Sequence, residues 1–341
     1  MIFYRTLMGE DMKRQMNTEL LSTLLIILIC WIGLIAADTA ISLIMKLLAG
    51  IPFRKTFLWG LISLAVPPAV IAYGALIERN CFKVRNIELS YQGLPDDFDG
   101  YKIVHISDIH ARSFNGREKR LQKGMETING LNPDMIAFTG DLITMEPEEL
   151  HGIKSILSTL HARDGVFSVL GNHDYCMYSD MNEESKEKAL KALIETEEAM
   201  GWTLLLDENR IISRGHDSVA VVGVENTSPS RHFPSRGDLT MAAAGTDGMF
   251  RILLTHDPLH WESEIVGQDY HLTLSGHTHA MQLSILGWCP SRYIFPQYRG
   301  LYSSDNRIQY LHVNTGLGET IFPARIGVRP EITLITLKSP H

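Results

Sequence analysis

The 341-residue chain has only four cysteines, Cys30, Cys81, Cys176 and Cys289, and no two of them form a CxxC or CxxxxC pair. That scarcity excludes a thiolate zinc site and a disulfide-dense secreted scaffold, and the four read as small hydrophobes. Positive charge is short as well. The 31 Lys and Arg stand against 39 Asp and Glu, and 31 − 39 gives a net charge of −8 with histidine neutral. A protein that neutralises several phosphates normally shows a Lys/Arg excess on at least one face or segment, so no nucleic-acid partner is expected. Charged residues make up only 21% against 45% hydrophobic, which is ample for a core and more than a purely soluble protein needs. The sequence holds no internal repeat and no low-complexity segment.

Part of the apolar excess is concentrated near the start. Residues 20–37 and 57–77 contain no charge, and each run is long enough to cross a hydrocarbon core of roughly 30 Å. Two transmembrane helices are therefore expected, over about residues 20–44 and 57–77, within an N-terminal membrane region of residues 1–80. A cleaved signal peptide is the alternative for the first run, but a mixed-charge leader and a further apolar stretch at residues 39–49 fit it poorly. Pro67-Pro68 would break a soluble helix, whereas in lipid a neighbour re-satisfies the lost bond and leaves a kink. Asp38 is costly against lipid and is expected at the interface or against the second helix. Arg5, Lys13, Arg14, Arg79, Lys83 and Arg85 flank the pair, against Lys46, Arg54 and Lys55 in the connecting loop. The positive-inside rule then places the chain in the inner (cytoplasmic) membrane as a multi-pass protein, with both ends in the cytoplasm and the bilayer as a partner.

Residues 81–341 read as one α/β domain. Short apolar runs, YKIVHIS at 101–107, MIAFT at 135–139, VFSVL at 166–170, VAVVGV at 219–224, RILLT at 251–255 and HLTLS at 271–275, alternate with helical patterns. Apolar strands separated by helices indicate a sheet covered on both faces. Leu121, Met125, Ile128 and Leu131 recur at helical spacing before Asn132-Pro133 ends the pattern, and residues 183–200 form a second helix with a solvated charged face.

Polar residues cluster just after these runs, where open α/β sheets place their ligand sites. The clusters are Asp108-Ile-His110, Gly140-Asp141, Gly171-Asn172-His173-Asp174, Thr255-His256-Asp257 and Gly276-His277-Thr278-His279. Carboxylates, imidazoles and one amide oxygen form a hard-to-borderline donor set suited to Mn, Fe, Zn or Mg. Seven such groups exceed what one ion takes. Two divalent ions about 3.5 to 4 Å apart, sharing a carboxylate, would use them and clamp both oxygens of a phosphoryl displacement. Asp-x-His and His-x-His each put two ligands on one side of an extended chain. The glycines before Asp141, Asn172 and His277 let the backbone turn sharply and approach a ligand.

These five motifs, in this order, resemble the calcineurin-like metallophosphoesterase superfamily. The tail, Gly316-Leu-Gly318, Pro323-Ala-Arg325 and Pro330-Glu-Ile-Thr-Leu, further resembles its membrane-anchored bacterial branch of YkuE and YaeI type. The resemblance covers residues 82–338 and implies a four-layer α/β/β/α sandwich with a dimetal site at the strand ends. It implies Asp108, His110, Asp141 and His279 on one ion and Asp141, Asn172, His256 and His277 on the other, with Asp141 bridging. His173 is then the proton donor to the leaving oxygen, and Asp174 either orients it or supports a metal-bound histidine. Ala280-Met281-Gln282 departs from the Gly-Gly-Gln of many branch members, which bears on substrate contacts and leaves the metal ligands intact.

The expected activity is hydrolysis of a phosphate ester or pyrophosphate bond by metal-activated hydroxide, with no covalent enzyme intermediate. Arg112, Arg299 and Arg325 are candidate substrate contacts, because a planar guanidinium suits bidentate phosphate binding. Tethering to a bilayer favours a lipid-linked substrate, and the same branch suggests UDP-2,3-diacylglucosamine in lipid A synthesis. The alternatives are a catalytically silent metal-binding membrane receptor, disfavoured because every expected ligand is present, and a general phosphodiesterase or nuclease, disfavoured by the −8 charge.

Overall fold

The computed structural model describes residues 2–305 and 308–340, with side chains described from residue 19 onward. It divides into two compact units.

The first comprises the residues through Arg79 together with Ile321–Ile326. It holds α1 (Ile2–Ala49), α2 (Phe53–Gly60) and α3 (Val66–Leu76), with a 3-10 stretch at Leu61–Ala65. Two helical segments, Glu19–Ala49 with a mean hydropathy of 2.7 and Phe53–Asn80 with 1.9, are long and apolar enough to cross a membrane. The helix tightens to 3-10 geometry at Leu61–Ala65, and the proline pair stands in the first turn of α3. There a missing N–H has no helical partner to lose. Asp38 lies against Gly60 of α2, where a Cβ would collide with its carboxylate. The Trp31 indole N–H donates to the Leu64 carbonyl at 2.8 Å. A division at residue 80 omits the returning segment Ile321–Ile326, whose Pro323 carbonyl accepts from Arg79 Nη1 at 2.7 Å.

The second unit runs from Asn80 to Thr320 and resumes at Gly327. In chain order it holds β1 (Lys83–Ser90), β2 (Lys102–Ile106), α4 (Glu118–Gly130), β3 (Met135–Phe138), α5 (Lys154–Leu157), β4 (Val166–Ser168) and α6 (Glu183–Ala199). There follow β5 (Thr203–Leu204), β6 (Glu208–Arg214), β7 (Asp217–Gly223), α7 (Leu239–Ala242), β8 (Phe250–Leu254), β9 (Leu272–Ser275), β10 (Gly300–Ser303), β11 (Tyr310–Val313) and β12 (Glu331–Lys338). Asn182 caps α6 by accepting the Ser185 N–H at 2.9 Å.

The strands form two mixed six-stranded sheets, ordered β1-β12-β2-β3-β4-β5 and β10-β11-β9-β8-β7-β6. All six apolar runs are strands, three in each sheet and mutually parallel within it. Alternation along each strand assigns its two faces to different cores. Ile103, Ala137 and Phe167 of one sheet share a core with Val219, Val221, Ile252 and Leu272 of the other. Their neighbours Val104, Ile136 and Phe138 pack on Leu121, Met125 and Ile128 of α4 and Leu193 of α6. On the far side Ala220, Val222 and Leu253 pack on Ala242, Trp261 and Ile265. The central strands are covered on both faces, which is why they are apolar throughout.

Candidate metal centre

Each sheet contributes its strand ends to one cluster of side chains, all buried except the half-buried His173 and His277. From the first sheet come Asp108 and His110 after β2, Asp141 after β3, and Asn172, His173 and Asp174 after β4. From the second come His256 after β8 and His277 and His279 after β9.

The donor atoms converge in two groups. His279 Nε2 lies 3.1 Å from Asp108 Oδ1 and 3.0 Å from His110 Nε2. His277 Nδ1 lies 2.8 Å from Asn172 Oδ1 and 3.2 Å from His256 Nε2. Asp141 Oδ2 stands between them, 3.6 Å from His110 Nε2 and 3.2 Å from His256 Nε2. Asp108, His110 and His279 on one side, and Asp141, His256 and His277 on the other, bring one ligand atom each within the reach of a single ion. Imidazole nitrogens thus converge to 3.0 and 3.2 Å on one another as well as on carboxylate and amide oxygens. A pair of divalent cations matches that donor set, with Asp141 common to both groups.

The backbone is strained to achieve this. Asp108, His110, Asp141, His277 and His279 all have φ between 44° and 72°. Left-handed backbone is uncommon outside glycine and clusters at functional sites, where the surrounding fold over-determines it. Of the three glycines singled out in the motifs, only Gly140 uses a positive φ, at 89°. Gly171 and Gly276 serve close approach instead, since a Cβ on either would collide with the Asp141 carboxylate or the Ser107 hydroxyl.

The surrounding groups fix these donors. His256 Nδ1 faces the Thr139 carbonyl at 2.7 Å, which makes Nδ1 the donor and turns Nε2 toward Asp141. Behind Thr139, His105 Nε2 lies 3.0 Å from its hydroxyl, and His105 Nδ1 lies 2.8 Å from His312 Nδ1 across the two sheets. His173 Nδ1 donates to the Thr144 carbonyl at 2.7 Å. The His173 ring meets that of His110 edge-on at 4.7 Å. The orienting role expected of Asp174 falls to Thr144. The Asp174 carboxylate accepts the backbone N–H groups of Asp141, Leu142 and Ile143, in the turn after β3, and of Gly171, in the turn after β4, instead.

Sequence comparison separates this arrangement from a coincidental cluster. A calcineurin-like phosphoesterase model matches residues 101–281, the stretch that carries all five motifs. The chain is 30% identical over 302 residues to the uncharacterized metallophosphoesterase YkuE of Bacillus subtilis, covering 84% of this chain and 98% of that one. It is 30% identical to a transmembrane protein with metallophosphoesterase domain from Danio rerio, of which it spans 63%. It is 27% identical over 307 residues to the UDP-2,3-diacylglucosamine pyrophosphatase LpxG of Chlamydia trachomatis, covering 75% of this chain and 89% of that one. The chain belongs to the calcineurin-like phosphoesterase family. The family and the His/Asp cluster together are those of a metal-dependent phosphoesterase.

Electrostatics of the phosphoesterase cluster follow from its burial. Burial alone would raise the Asp141 carboxyl, but the imidazoles of His256, His173 and His110 outweigh it and hold the group well below the usual carboxylate range. Burial lowers His110, and the neighbouring His173 lowers it further. Burial also works to lower His256, yet the Asp141 carboxylate overrides it and lifts the imidazole to about 10. Burial and the Asp141 charge raise Asp174 to about 7.

The three candidate arginines are dispersed. Arg112 Nη1 lies 3.9 Å from Glu149 Oε1, and the Arg299 guanidinium sits over Tyr298. Arg325 belongs to the helical unit and is fully buried. A guanidinium enclosed in that way is already engaged by protein and is not offered to a substrate. Tyr178, Phe233 and Phe295 were not foreseen from the motifs. Tyr178 OH accepts from Asn172 Nδ2 at 3.2 Å, and both phenylalanine rings meet His277 edge-on. Tyr178, four residues after Asp174, had a proximity signal; the phenylalanines come from loops with none.

Proposed function

We propose that the chain is a membrane-anchored dimetal phosphoesterase acting on a phosphate ester or pyrophosphate bond of a lipid-linked substrate such as UDP-2,3-diacylglucosamine. The observation that carries the reading is Asp141 Oδ2, within 3.6 Å of a nitrogen from each ligand group. Asp108, His110, Asp141 and His279 would hold one ion, and Asp141, Asn172, His256 and His277 the other. Two such ions supply Lewis acidity to a water and to the phosphoryl oxygens.

The protein's own groups do the rest. His173 has its Nδ1 committed to Thr144, so only Nε2 is left to pass a proton to the leaving oxygen. Asp174 is a positioning residue that fixes the Asp141 turn through three backbone N–H groups and ties it to Gly171 through a fourth. Arg112, two residues beyond His110 and only 17% exposed, is the arginine we assign to phosphate. The two long apolar helices, and a relative named as a transmembrane protein, support anchoring in a membrane. The likeness to LpxG supports the lipid-linked pyrophosphate.

The test is turnover by full-length protein stripped of metal and re-supplied with Mn. Substrates are a chromogenic phosphodiester and UDP-2,3-diacylglucosamine, with Asp141→Ala as control. Restored turnover that the variant abolishes is the expected result, and a preference for the lipid fixes the substrate class. Folded, metal-loaded protein that cleaves neither overturns the reading.

A further inference from the structure

The segment between His279 and Phe295 is unlike the rest of the domain surface. In residues 281–298 the only charged side chain is Arg292, although the chain carries 39 acidic residues. Six large side chains there, Met281, Ile285, Leu286, Trp288, Tyr293 and Ile294, stand in solvent. The segment is an ordered structure, with Ile285 and Trp288 exchanging both backbone hydrogen bonds at 2.9 Å. Leu286 and Gly287 form the two-residue tip at φ 50° and 86°. A tip with both residues at positive φ favours Asn, Asp or Gly, because a side chain there is strained. The tip residue is instead a leucine whose side chain is wholly exposed, at 104%. Strain and exposure both disfavour that choice within the isolated domain, and burial in an external apolar phase offsets both.

The hairpin is rooted at the metal centre. Buried Cys289 packs with Ala280 and Val328, and its thiol donates to the Ala280 carbonyl next to His279. The Thr278 hydroxyl donates to the Tyr298 carbonyl at 2.6 Å. Phe295, at the far end, meets the His277 ring.

We infer that the Ile285–Trp288 hairpin, with Tyr293 and Ile294, inserts into the surface of an anionic phospholipid bilayer and seats the metal centre at the headgroups. Three observations favour a bilayer over a protein partner. Trp288 and Tyr293 pair through the indole N–H and the phenol, side chains that prefer the membrane–water boundary. The one charge, Arg292, is cationic and lies over the Tyr293 ring. Finally, Cys81 and Phe82 alone separate the apolar segment Phe53–Asn80 from β1, a tether of roughly 10 Å at full extension. The inference rests on the membrane-anchored reading above but does not require turnover.

Full-length protein with Cys30 and Cys81 replaced by serine is labelled with a polarity-sensitive fluorophore at Leu286→Cys, and separately at Lys188→Cys on exposed α6. Both are reconstituted in phosphatidylcholine/phosphatidylglycerol nanodiscs with and without shallow doxyl-lipid. Blue-shifted emission at position 286, quenched several-fold by the doxyl-lipid while position 188 stays unquenched, is the expected result. Water-like, unquenched emission at 286 overturns the inference. So does a blue shift without lipid quenching that persists in detergent, which would mark a second copy or another protein on the hairpin. Turnover of the lipid substrate in unlabelled discs is scored separately, so failure of the hairpin and failure of the substrate assignment are distinguishable.

Discussion

Asp174 accepts the backbone N–H of Asp141 at 2.8 Å, and with the same carboxylate those of Leu142, Ile143 and Gly171. Asp141, the carboxylate that both donor groups approach, is therefore held by a carboxylate whose own oxygens are spent on backbone N–H groups. Asp174→Ala leaves four buried donors unpaired and is expected to cost on the order of 3–5 kcal/mol. Differential scanning calorimetry would show the fall in Tm, and titration with Mn a weakened site. Unchanged Tm and metal affinity would mean the turn holds itself.

Metal binding is expected to tighten with rising pH. With His256 lifted to about 10 beside the Asp141 carboxylate, a proton occupies the nitrogen an ion needs at neutral pH. The sign follows: binding releases that proton, so affinity climbs until pH approaches 10. Calorimetry in buffers of different ionisation enthalpy should count about one proton released at that site, and none in His256→Ala. Saturating metal should in turn raise Tm, by about 2.7 kcal/mol of stability at a hundredfold excess over Kd.

Arg120 of α4 grips Glu319 through two bonds, at 2.6 and 3.1 Å, and donates to the Leu317 carbonyl. Both side chains are nearly enclosed and the guanidinium stacks over Phe114. Removing one partner of a buried pair typically costs about 3–5 kcal/mol, and lysine cannot reproduce the fork. Arg120→Lys should therefore lower Tm appreciably, measured by thermal denaturation of the metal-loaded protein.

Gly318 has no room for a side chain. A Cβ there would strike the Ile109 carbonyl and come within 3.0 Å of the His110 Cβ. Gly318→Ala should displace His110 and reduce metal stoichiometry from two toward one, read by elemental analysis, with secondary structure unchanged by circular dichroism.

Glu197 of α6 is fully buried with Ser168 donating to it at 2.6 Å, and burial plus the charge of Asp174 pushes it up to about 8. The native state therefore holds a proton that the unfolded chain releases near pH 4.5. Stability contributed by the neutral acid is present below about 4.5 and is lost as pH rises to about 8, at no more than about 1.4 kcal/mol per pH unit. Glu197→Gln should flatten that slope and be the more stable protein at pH 8, measured by urea denaturation across pH.

Local chemistry made much of this legible in the chain. The six apolar runs became six strands because burial on both faces leaves no place for polar residues. The helix over Leu121, Met125 and Ile128 followed from spacing. The donor residues after those strands were visible because a strand end fixes where the next few side chains emerge. Other features carried no local signal. β12 slots between β1 and β2, although more than 220 residues separate it from them, and short or exposed strands such as β5 and β6 have no apolar periodicity to announce them.

The sequence by itself determined the two apolar segments, the central strands and the inventory of donor side chains at the strand ends, because periodicity and donor type are properties of neighbouring residues. Only the tertiary structure decided the division into two sheets, Asp141 as the carboxylate that both donor groups approach, and the contact of His173 with Thr144 in place of Asp174. It also decided the burial of Arg325 and the exposure of Leu286. The physical reason is common to all of these: burial and hydrogen-bond partnership are set by what the rest of the chain brings to a residue, and residues distant in sequence do the bringing.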